Sequence, residues 1–396
     1  LYRVTEVLRA LRGGLPGRGR DVVPPISVSV VYRFTGAGAD PVREVKYGRE
    51  NNPTTMILEE ALRVAEEAEW CLAFNTGMAA ITSLLSVLAA HGARRVIASR
   101  LLYGTTRGLL DELASLGLLE VRYAGPPWEE LLDTVESLGP DVVLVETIGN
   151  PTLRVPPLRA VAEACEERGC ALVVDNTFAS PYLFQPLSLP GNVVAVESLT
   201  KYIGGHNDVL GGAVCGRDEE LQRSLWDARR MTGSILQPLD AYLAARGLRT
   251  LHLRMEAVSR GAERVARGLA EKDVALKVYY PGLPSHPDHG YARELFPGLY
   301  GGVVSFDVGS GEAARRVLEG LRLVVPSPSL GGVESIMAYP YESSHRGLSE
   351  EEKQRLGITP GLLRLSVGLE DPDDVLEDVV RAVRAARSRS RVTGTE

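Results

Sequence analysis

The stretch DVVLVETIGNPTLRVPPLRAVAEACEERGCALVVDNTF, residues 141–178, holds a complete strand–helix–strand unit. DVVLVET and ALVVDN are short runs with almost no polar interruption. Between them, PLRAVAEACEERG repeats its apolar residues at spacings of three and four. An apolar run without alternation is what a strand shows when helices cover both faces of its sheet. Two such strands separated by one helix predict a βαβ unit, and therefore parallel strands.

The same alternation runs outward in both directions. CLAF (71–74), RRVIAS (94–99), LLEVRYA (118–124), NVVAVES (192–198) and GGAVCG (211–216) add five strand candidates. GMAAITSLLSVLAAH (77–91), YGTTRGLLDELASLG (103–117) and PWEELLDTVESLG (127–139) are the intervening helices. The reading is an α/β fold: a mainly parallel seven-stranded sheet with helices on both faces. Residues 218–270 read as helical throughout, with one long helix over 240–271. Beyond it VALKVYYPG, GGVVSFDVG, RLVVPSPS and LLRLSVGLE are strand candidates, and GEAARRVLEGL and PDDVLEDVVRAVRAA are helices. That change of character predicts a smaller C-terminal α+β domain. At the other end, residues 1–12 suit a short amphipathic helix. A Gly/Pro-rich, partly apolar arm follows (13–34), then the polar REVKYGRENNPTT (43–55) before a helix opened by Pro53. The expected division is an arm over 1–55, a large domain over 56–250 and a small one over 251–396.

With 44% hydrophobic residues the 396-residue chain can build a substantial core. Its formal net charge of −7 does not suit nucleic acid or an anionic membrane as partner. No stretch approaches the roughly 18 uninterrupted apolar residues of a membrane helix, and the start resembles no leader. A cytoplasmic protein is expected. Cys71, Cys165, Cys170 and Cys215 each lie in or beside an apolar segment and read as buried free thiols in a reducing compartment. No cysteine pair has metal-ligand spacing with nearby histidines, and His206 reads as a hydrogen-bonded structural residue, so no metal is expected. The basic end RAVRAARSRSR (381–391) reads as a helix fraying into a tail.

In a parallel sheet, ligands bind beyond the C-terminal strand ends. After CLAF, Gly77 and Met78 open a helix whose free N–H groups suit an anion, although Thr76 is also an ordinary N-cap. After RRVIAS, Tyr103 is either a packing tyrosine or a platform for a flat ring. Glu146 and Asn150 follow DVVLV. Asp175, Asn176 and Thr177 follow ALVV, where the aspartate is an Asx-turn or a site carboxylate. After NVVAV come Ser198, Thr200 and Lys201, the last either a solvated charge or an amine made nucleophilic by burial. Taken together, an anion cradle, a flat aromatic, a carboxylate and an amine match one chemistry best. Pyridoxal 5′-phosphate uses a lysine Schiff base and an acidic partner for its ring nitrogen.

The chain resembles the Cys/Met-metabolism family of pyridoxal-phosphate enzymes, which includes cystathionine γ-synthase, cystathionine γ-lyase, methionine γ-lyase and O-acylhomoserine sulfhydrylase. The pieces that carry the resemblance are YGRENNPT (47–54), TGMAA (76–80), YGTT (103–106), ETIGNPT (146–152), VDNTFASPY (174–182), SLTKYIGGHND (198–208), DAYLAARGLRTL (240–251), SLGGVES (329–335) and LLRLSVGLE (362–370). The resemblance implies a fold-type I transferase in sulfur amino-acid metabolism, assembled as a homotetramer from dimers. It implies Lys201 as the Schiff-base lysine and Tyr103 as ring partner and acid or base. Gly77, Met78, Ser198 and Thr200 would hold the phosphate, with Asp175 and Thr177 also at the cofactor. Tyr47 and Arg49 would reach the cofactor phosphate of the neighbouring subunit. Asn150, Ser329 and Arg364 would hold the α-carboxylate of an amino-acid substrate.

The implied reaction is elimination or replacement at the γ carbon of sulfur amino acids or O-acylhomoserine, as a cystathionine γ-lyase or γ-synthase. The alternatives are an O-acetylhomoserine sulfhydrylase, a methionine γ-lyase and, more remotely, a non-catalytic scaffold. The chain departs from the family pattern in places. Pro328 stands where cystathionine-type members usually carry an acid, which weakens charge recognition of cystathionine's distal amino group. Thr105 stands where methionine γ-lyases usually have cysteine. SSHR (343–346) replaces the usual TH.

Overall fold

The computed structural model describes residues 2–12, 22–33, 40–296 and 298–392, with side chains up to residue 388. Much of the predicted N-terminal arm, residues 13–21 and 34–39, lies outside the described residues. The seven predicted strands form one sheet: β1 Trp70–Phe74, β2 Arg95–Ser99, β3 Glu120–Ala124, β4 Val142–Glu146, β5 Ala171–Asp175, β6 Asn192–Glu197 and β7 Gly212–Gly216. Their order is β1-β7-β6-β5-β4-β2-β3. β3, β2, β4, β5 and β6 pair in parallel, and β7 runs antiparallel to both β6 and β1.

The unbroken apolar runs have a direct cause. Successive side chains of a strand point to opposite faces, and each face here has its own core. Val143 and Val145 of β4, with Leu172 and Val174 of β5, join Leu58 and Leu62 of helix Pro53–Ala65 and Val161 of helix Leu158–Arg168. Val142, Leu144 and Val173 join Leu84 and Leu85 of helix Gly77–Ala90 and Leu225 of helix Glu219–Thr232.

The stretch 218–270 is not continuously helical. It forms three helices, Glu219–Thr232, Pro238–Leu248 and Leu251–Glu271. Gly233 ends the first in the left-handed region (φ 74°), and Pro238 opens the second, where its missing N–H costs no helical bond. The reading of four free thiols is also corrected. Cys165 and Cys170 are free and buried, but Cys71 and Cys215 form a disulfide. They are directly opposed partners on antiparallel β1 and β7, 144 residues apart in the chain. Apolar patterning carries no trace of that register.

A second sheet has the order β10-β11-β12-β9-β8, from β8 Lys277–Tyr279, β9 Val303–Asp307, β10 Val325–Pro326, β11 Ile336–Ala338 and β12 Leu362–Ser366. Of RLVVPSPS only two residues are strand, and three-residue β11 is too short for a readable period. Helices Gly311–Gly320 and Pro372–Val392 cover this sheet. The second continues past the predicted end of its apolar pattern, through the basic segment. Among the described residues, no helix is long and apolar enough to cross a membrane.

One buried ion pair ties helix Glu219–Thr232 to helix Pro53–Ala65 and β1. Arg229 Nη1 donates to Glu59 Oε1 (2.5 Å) and to the Ala73 carbonyl (2.9 Å), while the Ala73 N–H donates to the same Glu59 oxygen (2.8 Å). Removing one partner of such a pair leaves the other as an uncompensated buried charge. Arg229→Met is expected to lower the unfolding free energy by about 3–5 kcal/mol in urea titration. A loss below about 1 kcal/mol would rank the pair with exposed ones.

Candidate active site

The C-terminal ends of β1, β4, β5 and β6 and the start of the helix after β2 surround a cavity of about 680 Å³. Most of the residues singled out from the sequence meet in this one cavity. Gly77, Met78, Tyr103, Asn150, Asp175, Thr177, Ser198, Thr200, Lys201, Ser329 and Arg364 all line the cavity, as does Pro328. Tyr47 and Arg49 do not line the cavity of their own chain. Both are partly exposed, and Arg49 Nη1 donates to the Arg230 carbonyl (2.5 Å).

Thr76 caps the helix Gly77–Ala90, its hydroxyl accepting from the Ala79 N–H (2.9 Å). The first N–H groups of a helix have no intrahelical acceptor, and those of Gly77 and Met78 have no partner among the described residues. A Cβ on Gly77 would stand 3.2 Å from Ser198 Cβ, and one on Gly212 would overlap the Thr76 carbonyl and stand 2.7 Å from the Gly77 nitrogen. Glycine at both positions lets β7 and Ser198 close around the helix start. The Thr200 hydroxyl is engaged with the Gly211 N–H (3.1 Å) and carbonyl (3.3 Å).

Lys201 lies in the wide turn Leu199–Ile203 and leaves helical dihedrals (φ −93°, ψ −127°). Its ammonium donates to Ser329 Oγ (2.7 Å). Its pKa is lowered to about 8, chiefly by burial and then by the Arg364 charge, against the opposing charge of Asp175. Asp175 and Glu146 end neighbouring parallel strands in register. Burial raises both, and the Asp175 charge adds to the rise at Glu146, which goes well above the ordinary carboxylate range. Glu146 accepts from the Tyr103 N–H (2.5 Å) and the Asn150 N–H (3.3 Å), and so fixes two cavity segments at once. Asp175 accepts from the Thr177 N–H (3.1 Å), whose hydroxyl accepts from the Ser198 N–H (2.9 Å). The Tyr103 side chain is 43% exposed at the cavity.

Arg364 enters from β12 of the other sheet. It donates to Asn150 Oδ1 and to the Ser329 carbonyl, each at 2.7 Å, and its buried Nε has no hydrogen-bond partner among the described residues. Burial lowers its pKa to about 10, so it stays charged at neutral pH. Ser329 is held at φ +84°, a left-handed conformation that costs a non-glycine residue about 1–3 kcal/mol.

Sequence reasoning gave no role to several groups here. Glu146 was visible only as a strand-end residue. His345 is buried near Arg364, and its pKa falls to about 4, chiefly through burial. Glu66 and Glu197 form a buried acidic pair behind β5 and β6, where Asn176 Nδ2 donates to Glu197 Oε1 (2.9 Å). Burial raises Glu66 to about 7 and Glu197 well beyond the usual range.

The lowered pKa of Lys201 has a defined sign. The neutral amine is favoured, so about one tenth is neutral at pH 7 and most of it above pH 9. Amine-reactive labelling of the cofactor-free protein, read by mass spectrometry, is expected to reach half its maximal rate at Lys201 near pH 8. Exposed lysines would follow near pH 10. A Lys201 midpoint equal to theirs would show a solvated ammonium.

The family model for Cys/Met metabolism PLP-dependent enzymes matches residues 10–384. A cystathionine γ-lyase of Bacillus subtilis is 36% identical over 373 residues, 94% of this chain and 97% of that protein. Among solved structures, a cystathionine γ-synthase of Xanthomonas oryzae in complex with aminoacrylate and cysteine superposes with a TM-score of 0.90 at 36% identity, covering 97% of this chain and 98% of the other. A cystathionine γ-lyase of Micromonospora echinospora gives 0.88 at 40% identity, covering 96% and 98%. With its seven-stranded sheet and smaller C-terminal sheet, the chain belongs to the Cys/Met metabolism PLP-dependent enzyme family and has the fold-type I architecture.

Proposed function

We propose that this protein catalyses pyridoxal-phosphate-dependent elimination or replacement at the γ carbon of sulfur amino acids or O-acylhomoserine, as a cystathionine γ-lyase or γ-synthase. The observation that carries the reading is the convergence, in one cavity, of Lys201 with its lowered pKa, the unpartnered N–H groups of Gly77 and Met78, and the buried, unpartnered Nε of Arg364.

Those residues fit the cofactor. Gly77, Met78 and the Ser198 hydroxyl would hold its phosphate at the positive end of a helix, joined by the Thr200 hydroxyl once it turns from the Gly211 carbonyl. Asp175, with Thr177 beside it, would face the ring nitrogen, where a positive charge would reverse the rise in its pKa. Tyr103 would lie against the ring, and Lys201 would anchor the group. When bound, the cofactor supplies an electron sink for the substrate's α carbon. The chain supplies the rest. Arg364 and Asn150, with Ser329, orient the α-carboxylate, so that the α proton faces Lys201. Lys201, once neutral, moves protons at the α and β carbons, and Tyr103 handles the proton at the departing γ group. Tyr47 and Arg49, which leave their own cavity untouched, would complete the phosphate site of a partner subunit. That role requires at least a dimer, which we place within a cytoplasmic tetramer built from dimers.

Purified protein with added cofactor would be mixed with L-cystathionine, and separately with O-acetyl- and O-succinyl-homoserine, with cysteine or sulfide. Cysteine and 2-oxobutanoate from cystathionine would establish γ-lyase activity, and cystathionine made from an ester and cysteine γ-synthase activity. Homocysteine formed only with sulfide would move the assignment to a sulfhydrylase. Lys201→Ala is expected to lower kcat about a thousandfold or more and to abolish the visible absorbance band of the lysine-bound cofactor. A Lys201→Ala enzyme that kept the band and its rate would overturn the site.

A further inference from the structure

The cavity mouth carries a charge that the proposed chemistry does not use. Arg346 lines the cavity together with Ser343, Ser344 and Gly347. Its backbone N–H donates to the Ser343 carbonyl, but its guanidinium has no ion pair among the described residues. Three of the four carboxylates nearest in sequence are already engaged, Glu351 being the exception. Glu342 pairs with Arg315, Glu350 with Lys353 and Tyr341, and Glu352 with Arg107. Among the described residues, the acids lining the cavity are Glu146 and Asp175, both at strand ends. Uncharged Pro328 and Arg346 are among the exposed residues of the lining.

The segment that carries Arg346 is anchored. His345 is buried (3% exposed), and its N–H donates to the Pro340 carbonyl (3.0 Å). The Ser344 carbonyl packs so closely on Gly104 that any side chain there would collide with it. Arg346 is thereby held at the exposed edge of the cavity that Arg364 also lines. A guanidinium is a planar fork suited to carboxylate or phosphate and repels an ammonium.

We propose that Arg346 is a specificity-determining residue that selects amino acids whose γ substituent ends in an anionic group. This rests on the orientation of substrate by Arg364 given under Proposed function. The shared chemistry is a distal anion, which a dicarboxylic half-ester or a phosphate ester of homoserine would equally provide.

Unreactive amino acids test binding apart from turnover. Calorimetric titration of the cofactor-loaded protein would compare L-2-aminopimelate (distal carboxylate), L-2-amino-4-phosphonobutyrate (distal phosphonate), L-norleucine (neutral) and L-lysine (cationic). The anionic ligands are expected to bind about 10- to 100-fold more tightly than norleucine, and lysine more weakly. Arg346→Gln should remove that advantage, and Arg346→Glu should invert the order in favour of lysine. The tighter of the two anionic ligands identifies the source. In parallel, the ratio of kcat/KM for O-succinyl- or O-phosphohomoserine over O-acetylhomoserine should fall about 10- to 100-fold in Arg346→Gln, through KM. Equal binding of anionic and neutral ligands by the unaltered protein would overturn the proposal, as would an equal loss for all ligands in both variants. If the charge order holds while no homoserine ester or cystathionine turns over, the selectivity of Arg346 stands and the proposed reaction falls.

Discussion

Arg364 donates to Asn150 after β4 and to the Ser329 carbonyl, while Ser329 Oγ accepts from Lys201 after β6. This short chain of hydrogen bonds joins both sheets around one cavity. Each link is charge-assisted or lies in a poorly hydrated place, where an unmade bond costs more than a made bond contributes. The left-handed backbone of Ser329 persists because its hydroxyl and its carbonyl are both engaged. Such local strain is tolerated where the surroundings over-determine it.

The same crowding sets the electrostatics. Two cations, Lys201 and Arg364, and two acids, Glu146 and Asp175, line one cavity and are buried or half-buried there. Desolvation disfavours every charge there, so the lysine moves toward its neutral form and the acids toward theirs. Arg364 keeps its charge because guanidinium begins from so high a pKa. The result is a floor with a fixed cation for a carboxylate and an amine able to exchange protons near neutrality. The helix N-terminus adds positive potential without another ionised side chain.

Much of this was legible in the chain. β4 and β5 announce themselves because both faces of each strand are buried in separate cores, and the strand-end rule then points to Asp175 and Lys201. Other features had no local signature. Cys71 meets Cys215 only because β7 turns antiparallel between β1 and β6. The break between Leu248 and Leu251 interrupts an apolar pattern that suggests one helix. Glu66 at the end of a helix and Glu197 at the end of β6 are far apart in the chain, yet form one buried pair.

The sequence by itself determined the seven strands, the helices between them and the residue types at the strand ends, because period and burial act over a few neighbouring residues. Only the tertiary structure decided which of those residues share a cavity, which lysine loses its water, and that Arg346 stands unpaired at the rim. Those outcomes depend on distances between segments more than 100 residues apart, as with Lys201 and Ser329. Desolvation and ion pairing vary with such distances, which local pattern does not encode.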